Sequence, residues 1–306
     1  MGKLVIVSVL ALFLGACASS VKENASEKPL PERTPEKTPE KPVEPEVDLL
    51  KPYRVKGNTW TVRWTSTAGD KTTVAYTKCE VLEVKEHWAE VKQTKLDADK
   101  RETVSSVFPE AFVTSVDEKI KVEAGEFDCV RQDGALPDYS GTLWRDKKWG
   151  LAVKSINRFG ASTMIQELTE IKAEGEAKDK FSIYRTVGNY WIQKTTTGGK
   201  NKEVLWARRE VVEVSADKAV ILYYEYDDQG NKLSSEIISD EFFATTSIEK
   251  VTVPAGEFEC VKTAARDGRG FPTAEWVDRK TGVTVKSEAK TDAWIDVTEL
   301  VEISVK

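Results

Sequence analysis

The sequence predicts an all-β protein: two tandem antiparallel β-modules, open half-barrel-like sheets, behind a disordered tether. Three observations carry that expectation. The body of the chain is one unit written twice at an offset near 131 residues, apolar residues alternate with period two through both copies, and turn-forming residues punctuate them. No long stretch keeps a 3.6-residue apolar stripe.

Residues 1–16 read as a signal peptide. Lys3 precedes an unbroken apolar run at 4–13, and small residues follow it. The run is well short of the roughly 20 residues a bilayer-spanning helix needs. The four residues Leu14, Gly15, Ala16 and Cys17 resemble the bacterial lipobox. The resemblance implies cleavage before Cys17, a diacylglyceryl thioether on its sulfur and acylation of the new amino terminus. Two or three acyl chains would hold firmly, because each buried methylene adds about 0.8 kcal/mol. Ala18, Ser19 and Ser20 follow in place of an Asp, which in a Gram-negative host implies the outer membrane. In any host it implies a lipid-anchored position in the cell envelope.

Residues 17–50 form the lipidated cysteine and its tether. TPEK occurs at 34–37 and again at 38–41, with further prolines at 29, 31, 42 and 45. Proline fixes φ and removes backbone donors, and alternating Glu and Lys leave almost nothing apolar to bury. At about 3.1 Å per residue, roughly 30 such residues could hold a domain up to about 90 Å from a membrane.

The repeats span 53–172 and 184–304, joined by a short polar stretch. YRVKGNTW (53–60) matches YRTVGNYW (184–191), and EVLEV (80–84) matches EVVEV (210–214). VEAGEFDCV (122–130) matches VPAGEFECV (253–261). Later, GLAVKS (150–155) pairs with GVTVKS (282–287), and ELTEI (167–171) with ELVEI (299–303). Alternating runs such as 60–64, 192–197, 220–224 and 294–301 predict seven to nine strands per copy, with one short helix over 100–111. Asp133-Gly134, 227–230, Asp267-Gly268 and 280–282 read as turns. Gly125 and Gly256 predict a bulge or bend, and Phe127 with Cys129, like Phe258 with Cys260, share a strand face.

This order of motifs, a V-x-A-G-x-F-x-C-V strand, a Trp strand, G-x-x-V-K-S and then E-L-x-E-I, resembles secreted bacterial β-proteins with TapB-like domains. More distantly it is similar to the open half-barrels of the LolA and LolB lipoprotein carriers. That resemblance covers both repeats and implies an apolar concavity able to hold acyl chains, with no ligand-contacting residue carried over by position.

Catalytic chemistry has little to work with. His87 is the only histidine, and its counterpart falls near Lys218. Cys79, Cys129 and Cys260 show no zinc-ligand spacing. Cys129 and Cys260 are repeat-equivalent and read as small buried residues in separate cores, while Cys79 aligns with Arg209 and reads as exposed; one disulfide would leave an odd cysteine. Glu126 and Asp128 recur as Glu257 and Glu259, the pattern of a solvated strand face, and Gly268 to Gly270 fits a hairpin connection. No cofactor or metal is expected. After cleavage, 44 basic face 51 acidic side chains, which argues against a nucleic-acid partner.

Aromatic residues are the remaining lead. Trp60 and Trp191, like Trp144 and Trp276, are repeat pairs and read as core. Trp64, Trp88, Trp149 and Trp294 have no aromatic counterpart and are the candidate ligand-binding residues. The sequence is therefore read as a non-enzymatic envelope lipoprotein with a structural or interaction body. Its partners would be the membrane, through Cys17, and a lipid, lipoprotein or envelope protein. A lipid or lipoprotein carrier and a glycan-binding protein are the alternatives.

Overall fold

A computed structural model describes residues 47–198, 203–233 and 237–306. The signal peptide, Cys17 and the tether as far as residue 46 lie outside the described residues.

The first repeat supplies β1 (Thr59–Ala68), β2 (Lys71–Val84), β3 (Trp88–Leu96), β4 (Glu102–Ala111), β5 (Thr114–Val122), β6 (Gly125–Leu136), β7 (Tyr139–Asp146), β8 (Ala152–Phe159) and β9 (Ser162–Lys172). The second supplies β10 (Tyr190–Gly198), β11 (Glu203–Val214), β12 (Lys218–Tyr226), β13 (Ile237–Phe242), β14 (Thr245–Val253), β15 (Gly256–Arg266), β16 (Pro272–Asp278), β17 (Thr284–Lys290) and β18 (Ile295–Ser304). A 3-10 turn precedes each repeat's first strand, at Lys51–Arg54 and Ser182–Arg185.

These strands form two nine-stranded antiparallel open sheets, and neither sheet coincides with a repeat. Sheet A runs β14-β15-β16-β17-β18-β1-β2-β3-β4, and sheet B runs β5-β6-β7-β8-β9-β10-β11-β12-β13. Each joins the last five strands of one repeat to the first four of the other. Sheet B is continuous in sequence; sheet A is made from the two ends of the body, closed by β1 pairing with β18.

Connector length explains the exchange. Only Phe112 and Val113 separate β4 from β5, and only Phe243 and Ala244 separate β13 from β14. Strands lie about 4.8 Å apart, so the outer strands of a flat nine-stranded sheet are roughly 38 Å apart. Two residues reach only about 7 Å. The chain leaving β4 cannot cross to the far edge of its own sheet, and β5 opens the second sheet instead of pairing with β4 as a hairpin.

The ladders repeat in detail. β1 and β18 shift register at Thr61/Val62, as β10 and β9 do at Ile192/Gln193. β2/β3 and β11/β12 shift at Val81/Glu83 and Val211/Glu213, and β16/β17 and β7/β8 at Trp276/Val277 and Trp144/Arg145. Each bulge adds local twist, which curls the sheet around its core.

Both cores draw on both repeats. Sheet A packs Trp60, Val81 and Val91 from the first against Cys260, Val285 and Leu300 from the second. Sheet B packs Cys129, Val153 and Leu168 against Trp191, Val211 and Ile221.

Three local expectations are corrected and a fourth is narrowed. Residues 102–111 form β4, not a helix; Thr103, Val104, Val107 and Phe108 favour a strand, and the edge tolerates Pro109, which has no N–H to donate. Asp133-Gly134 lies inside β6, where Gly134 pairs with Gly141 instead of turning. Of the bulge or bend expected at Gly125 and Gly256, the structure has the bend: at φ near +135° each closes a tight hairpin, pairing with Val122 and Val253. Cys79 is buried, because it pairs with Trp60 on the core face of β2.

Candidate functional site

Directly opposed residues in an antiparallel ladder share a face, so the lining of each sheet follows from register. One row of sheet A runs Trp60, Cys79 and Gln93 across β1, β2 and β3. This half of the hollow is closed. Pro52 is buried beneath it, the Tyr53 ring meets Trp60 edge-on at 5.2 Å, and Val285 and Leu300 have no exposed surface. Burial pushes the Cys79 thiol up to about 11 and the Glu110 carboxyl up to about 7, and raises the Tyr53 phenol with help from the charges of Glu110 and Glu275.

The other half is open. Trp64, on a central strand where a large apolar side chain would ordinarily be covered, is 36% exposed. Its ladder neighbours are Ala75 on β2 and Thr298 on β18, followed outward by Ser287 and Glu275. The next row holds Ser66, Thr73, Asp296 and Ala289. Asp296 Oδ1 is buried without a hydrogen-bond partner, and Glu275 Oε1 accepts a bond of 2.9 Å from Thr284 Oγ1.

Sheet B offers an internal comparison, since the same ladders place Thr195 where sheet A has Trp64. Around it, Leu205 replaces Ala75, Gln166 replaces Thr298, Asn157 replaces Ala289 and Met164 replaces Asp296. One row back Gln193 replaces Val62, and two rows back, level with the closed half of sheet A, Arg209 and Tyr223 replace Cys79 and Gln93. These larger side chains fill the hollow. Arg209 Nη1 donates to Gln193 Oε1 at 2.7 Å, Gln193 Nε2 donates to the Ala152 carbonyl at 2.9 Å, and Tyr139 donates to Asn157 Oδ1 at 2.8 Å. The arginine also lies 4.9 Å from the Tyr223 ring. The trough of sheet B is thus plugged by its own polar side chains, and that of sheet A is left open around one tryptophan.

The four candidate tryptophans do not converge. Trp64 lies in the open trough, and Trp294 immediately precedes β18 at the same end, its N–H bonded to Thr291 Oγ1 at 3.2 Å. Trp88 opens β3 opposite Ala111 at the other end, with Lys85 Nζ 5.9 Å from its ring. Trp149 belongs to the sheet B core and is 7% exposed. Asp296 and Glu275 escaped the sequence reading; the signal available was that the repeat partner of Asp296 is Met164.

The other candidates lie apart from the open half around Trp64. His87 is on an exposed turn 3.6 Å from Glu86. Asp128 and Glu259 face solvent and pair with Lys147 and Arg279. Cys79, Cys129 and Cys260 are free thiols, the last two in separate cores. A separate cleft of about 570 Å³ runs between residues 177–180 and the β7–β8 turn, where Lys147 is already paired with Asp117.

No protein-family model and no curated protein matches this chain. Two solved structures are similar to it. One is a candidate lipoprotein from Parabacteroides distasonis ATCC 8503, with a TM-score of 0.30 and 12% identity over 82% of this chain and 96% of that one. The other is a candidate exported protein with a YmcC-like fold from Bacteroides fragilis NCTC 9343, with a TM-score of 0.30 and 13% identity over 82% and 97%. At that TM-score neither likeness carries an argument about this chain.

Proposed function

We propose that this chain is an exported lipoprotein of the cell envelope, anchored through Cys17, whose body binds rather than reacts. The observation that carries the reading is the run of Leu14, Gly15, Ala16 and Cys17 directly after a short apolar segment and before a proline-rich tether. The described chain begins at Val47, and Asp48 packs against Gly282 at the closed end of sheet A.

Acyl labelling of cells tests the anchor. Wild type incorporates labelled palmitate and fractionates with membranes, whereas Cys17→Ala loses the label and is released. Retained label in that variant overturns the reading.

Within the same proposal, the trough lining favours a polar ligand over the acyl chain of a lipid carrier. Ser66, Thr73, Ser287, Thr298, Asp296 and Glu275 would each lose water to methylenes, and an unpaired buried polar group costs a few kcal/mol.

A further inference from the structure

We infer that the open half of the sheet A trough binds carbohydrate, a pyranose that is uncharged or carries an amino group, lying flat on the Trp64 ring. The inference rests on the reading of this body as a binding body, and is independent of the anchor.

Space is the first argument. At seven ladder positions sheet A has a smaller side chain than sheet B, among them Ala75 for Leu205, Thr298 for Gln166 and Ala289 for Asn157. Three positions run the other way, Trp64 for Thr195 and, one row back, Thr77 for Ala207 and Lys95 for Glu225. Sequence drift in a filled core would be compensated by neighbours, because interiors are close-packed. Here the residues flanking Trp64 in its own row and the next one outward are smaller, and the enlarged aromatic is still 36% exposed. An exposed indole among small, partly exposed neighbours is what results.

Chemistry selects the occupant. A sugar offers an apolar C–H face to an indole and hydroxyls around its edge. The edge here has beside it the hydroxyls of Ser66 and Thr298, the Asp296 carboxylate, whose Oδ1 is buried, and the exposed Glu275 carboxylate, whose Oε2 is not used in the bond to Thr284. Two carboxylates beside the ring repel an acidic sugar and attract an ammonium group, while Lys95 shares the face two strands away on β3. An acyl chain would strand those same carboxylates in hydrocarbon. Trp294, four residues from Thr298 along the same chain, stands about 13 Å further on at 3.3 Å per residue, within reach of a second or third sugar unit.

The test is titration of the purified full chain in a sugar-free zwitterionic detergent, followed by tryptophan fluorescence and calorimetry. The probes are N-acetylated chitohexaose, its deacetylated form, hexagalacturonate and cis-parinaric acid. Saturable binding is expected for one or both of the first two and not for the last two. Trp64→Ala should weaken it by about tenfold or more. Ala75→Leu should block it by restoring the side chain that plugs sheet B, a change the fold already accommodates there. Trp88→Ala should leave it unchanged. The inference is overturned if neither chito-oligosaccharide binds, if binding survives both Trp64→Ala and Ala75→Leu, or if the acidic sugar or the fatty acid is the ligand that Trp64→Ala removes. None of these outcomes bears on acylation of Cys17, so failure here leaves the anchor standing.

Discussion

Asn58 and Lys306 fasten the two ends of the body together. Asn58 Oδ1 accepts a 3.0 Å hydrogen bond from the Lys306 N–H, 248 positions away, while Asn58 Nδ2 donates to the Pro52 carbonyl at 2.8 Å. In sheet B the fully buried Asn189 does the same work locally, accepting from the Glu174 N–H at 2.8 Å and donating to the Ile183 carbonyl at 2.9 Å. One repeated geometry thus clamps a linker in one sheet and joins the two ends of the body in the other. Removing the amide leaves the buried Pro52 carbonyl unpaired, at a cost of about 1–3 kcal/mol, and frees the partly buried Lys306 N–H. Asn58→Ala is therefore expected to lower unfolding free energy by about 2–4 kcal/mol. Hydrogen exchange should rise in β1 and β18 and stay low in sheet B, and protection unchanged in β18 would refute the clamp.

The strand exchange predicts how fragments behave. Residues 113–244 contain all of sheet B and should fold as a monomer. Residues 47–174 contain one full sequence repeat, but its two-residue connector at Phe112 and Val113 cannot return β5 to the far edge of the same sheet. That fragment should instead pair reciprocally with a second copy, rebuilding both sheets as a two-fold dimer. Light scattering after size exclusion separates the outcomes, and a folded monomer of 47–174 would contradict the connector argument.

The same two residues show what could be read beforehand. Internal matches such as VEAGEFDCV and VPAGEFECV located equivalent positions, so the placement of Phe127, Cys129, Phe258 and Cys260 and the all-β class were legible. Equivalence does not reveal partners, however. Whether β9 pairs with β1 or β10 depends on connector length, and strand alternation carries no such information. β4 is an edge strand exposed along most of its length, which erases the period-two signal and leaves residues 100–111 looking helical. Trp64 stood out as an unmatched aromatic, but Asp296 and Glu275 are ordinary acids until register places them in rows with Ser66 and Trp64.

Glycine substitutions separate strain from collision. Gly57 has φ +83° with nothing within 4 Å of a new Cβ, so Gly57→Ala should cost about 1–2 kcal/mol from the left-handed backbone alone. Gly282 has φ +75°, and a Cβ there would overlap the Asp48 carbonyl oxygen and crowd Pro52. Gly282→Ala should cost clearly more and should loosen the 3-10 turn that caps the trough. Equal melting temperatures for the two variants would remove the steric part of the argument.

Thiol chemistry offers a count. Burial pushes Cys79, Cys129 and Cys260 up to about 11, so at pH 8 the folded protein should resist maleimide. Unfolding in denaturant should release three reactive thiols if Cys17 is held in a thioether and four if it is free. Mass spectrometry of the alkylated chain reads this directly, and labelling of Cys129 or Cys260 under native conditions would contradict their burial.

Glu110 sets a pH dependence whose sign is fixed by its surroundings. It lies on β4 opposite Ala89, is 6% exposed, and makes no hydrogen bond or ion pair among the described residues. Burial raises its carboxyl from 4.5 to about 7. The folded chain therefore holds this proton more tightly than the unfolded chain does. Its contribution to stability is fully present below about pH 4.5 and is lost as pH rises through about 7. Allowing for solvent that reaches an edge strand, the loss is about 2 kcal/mol across that window. Glu110→Gln should remove most of the slope and make the protein more stable than wild type at pH 8. Glu241→Gln should act in the same direction in sheet B, where burial also raises the carboxyl. Denaturant titrations at pH 4.5 and pH 8 decide it: an unchanged difference between those two pH values in Glu110→Gln would place the titrating group elsewhere.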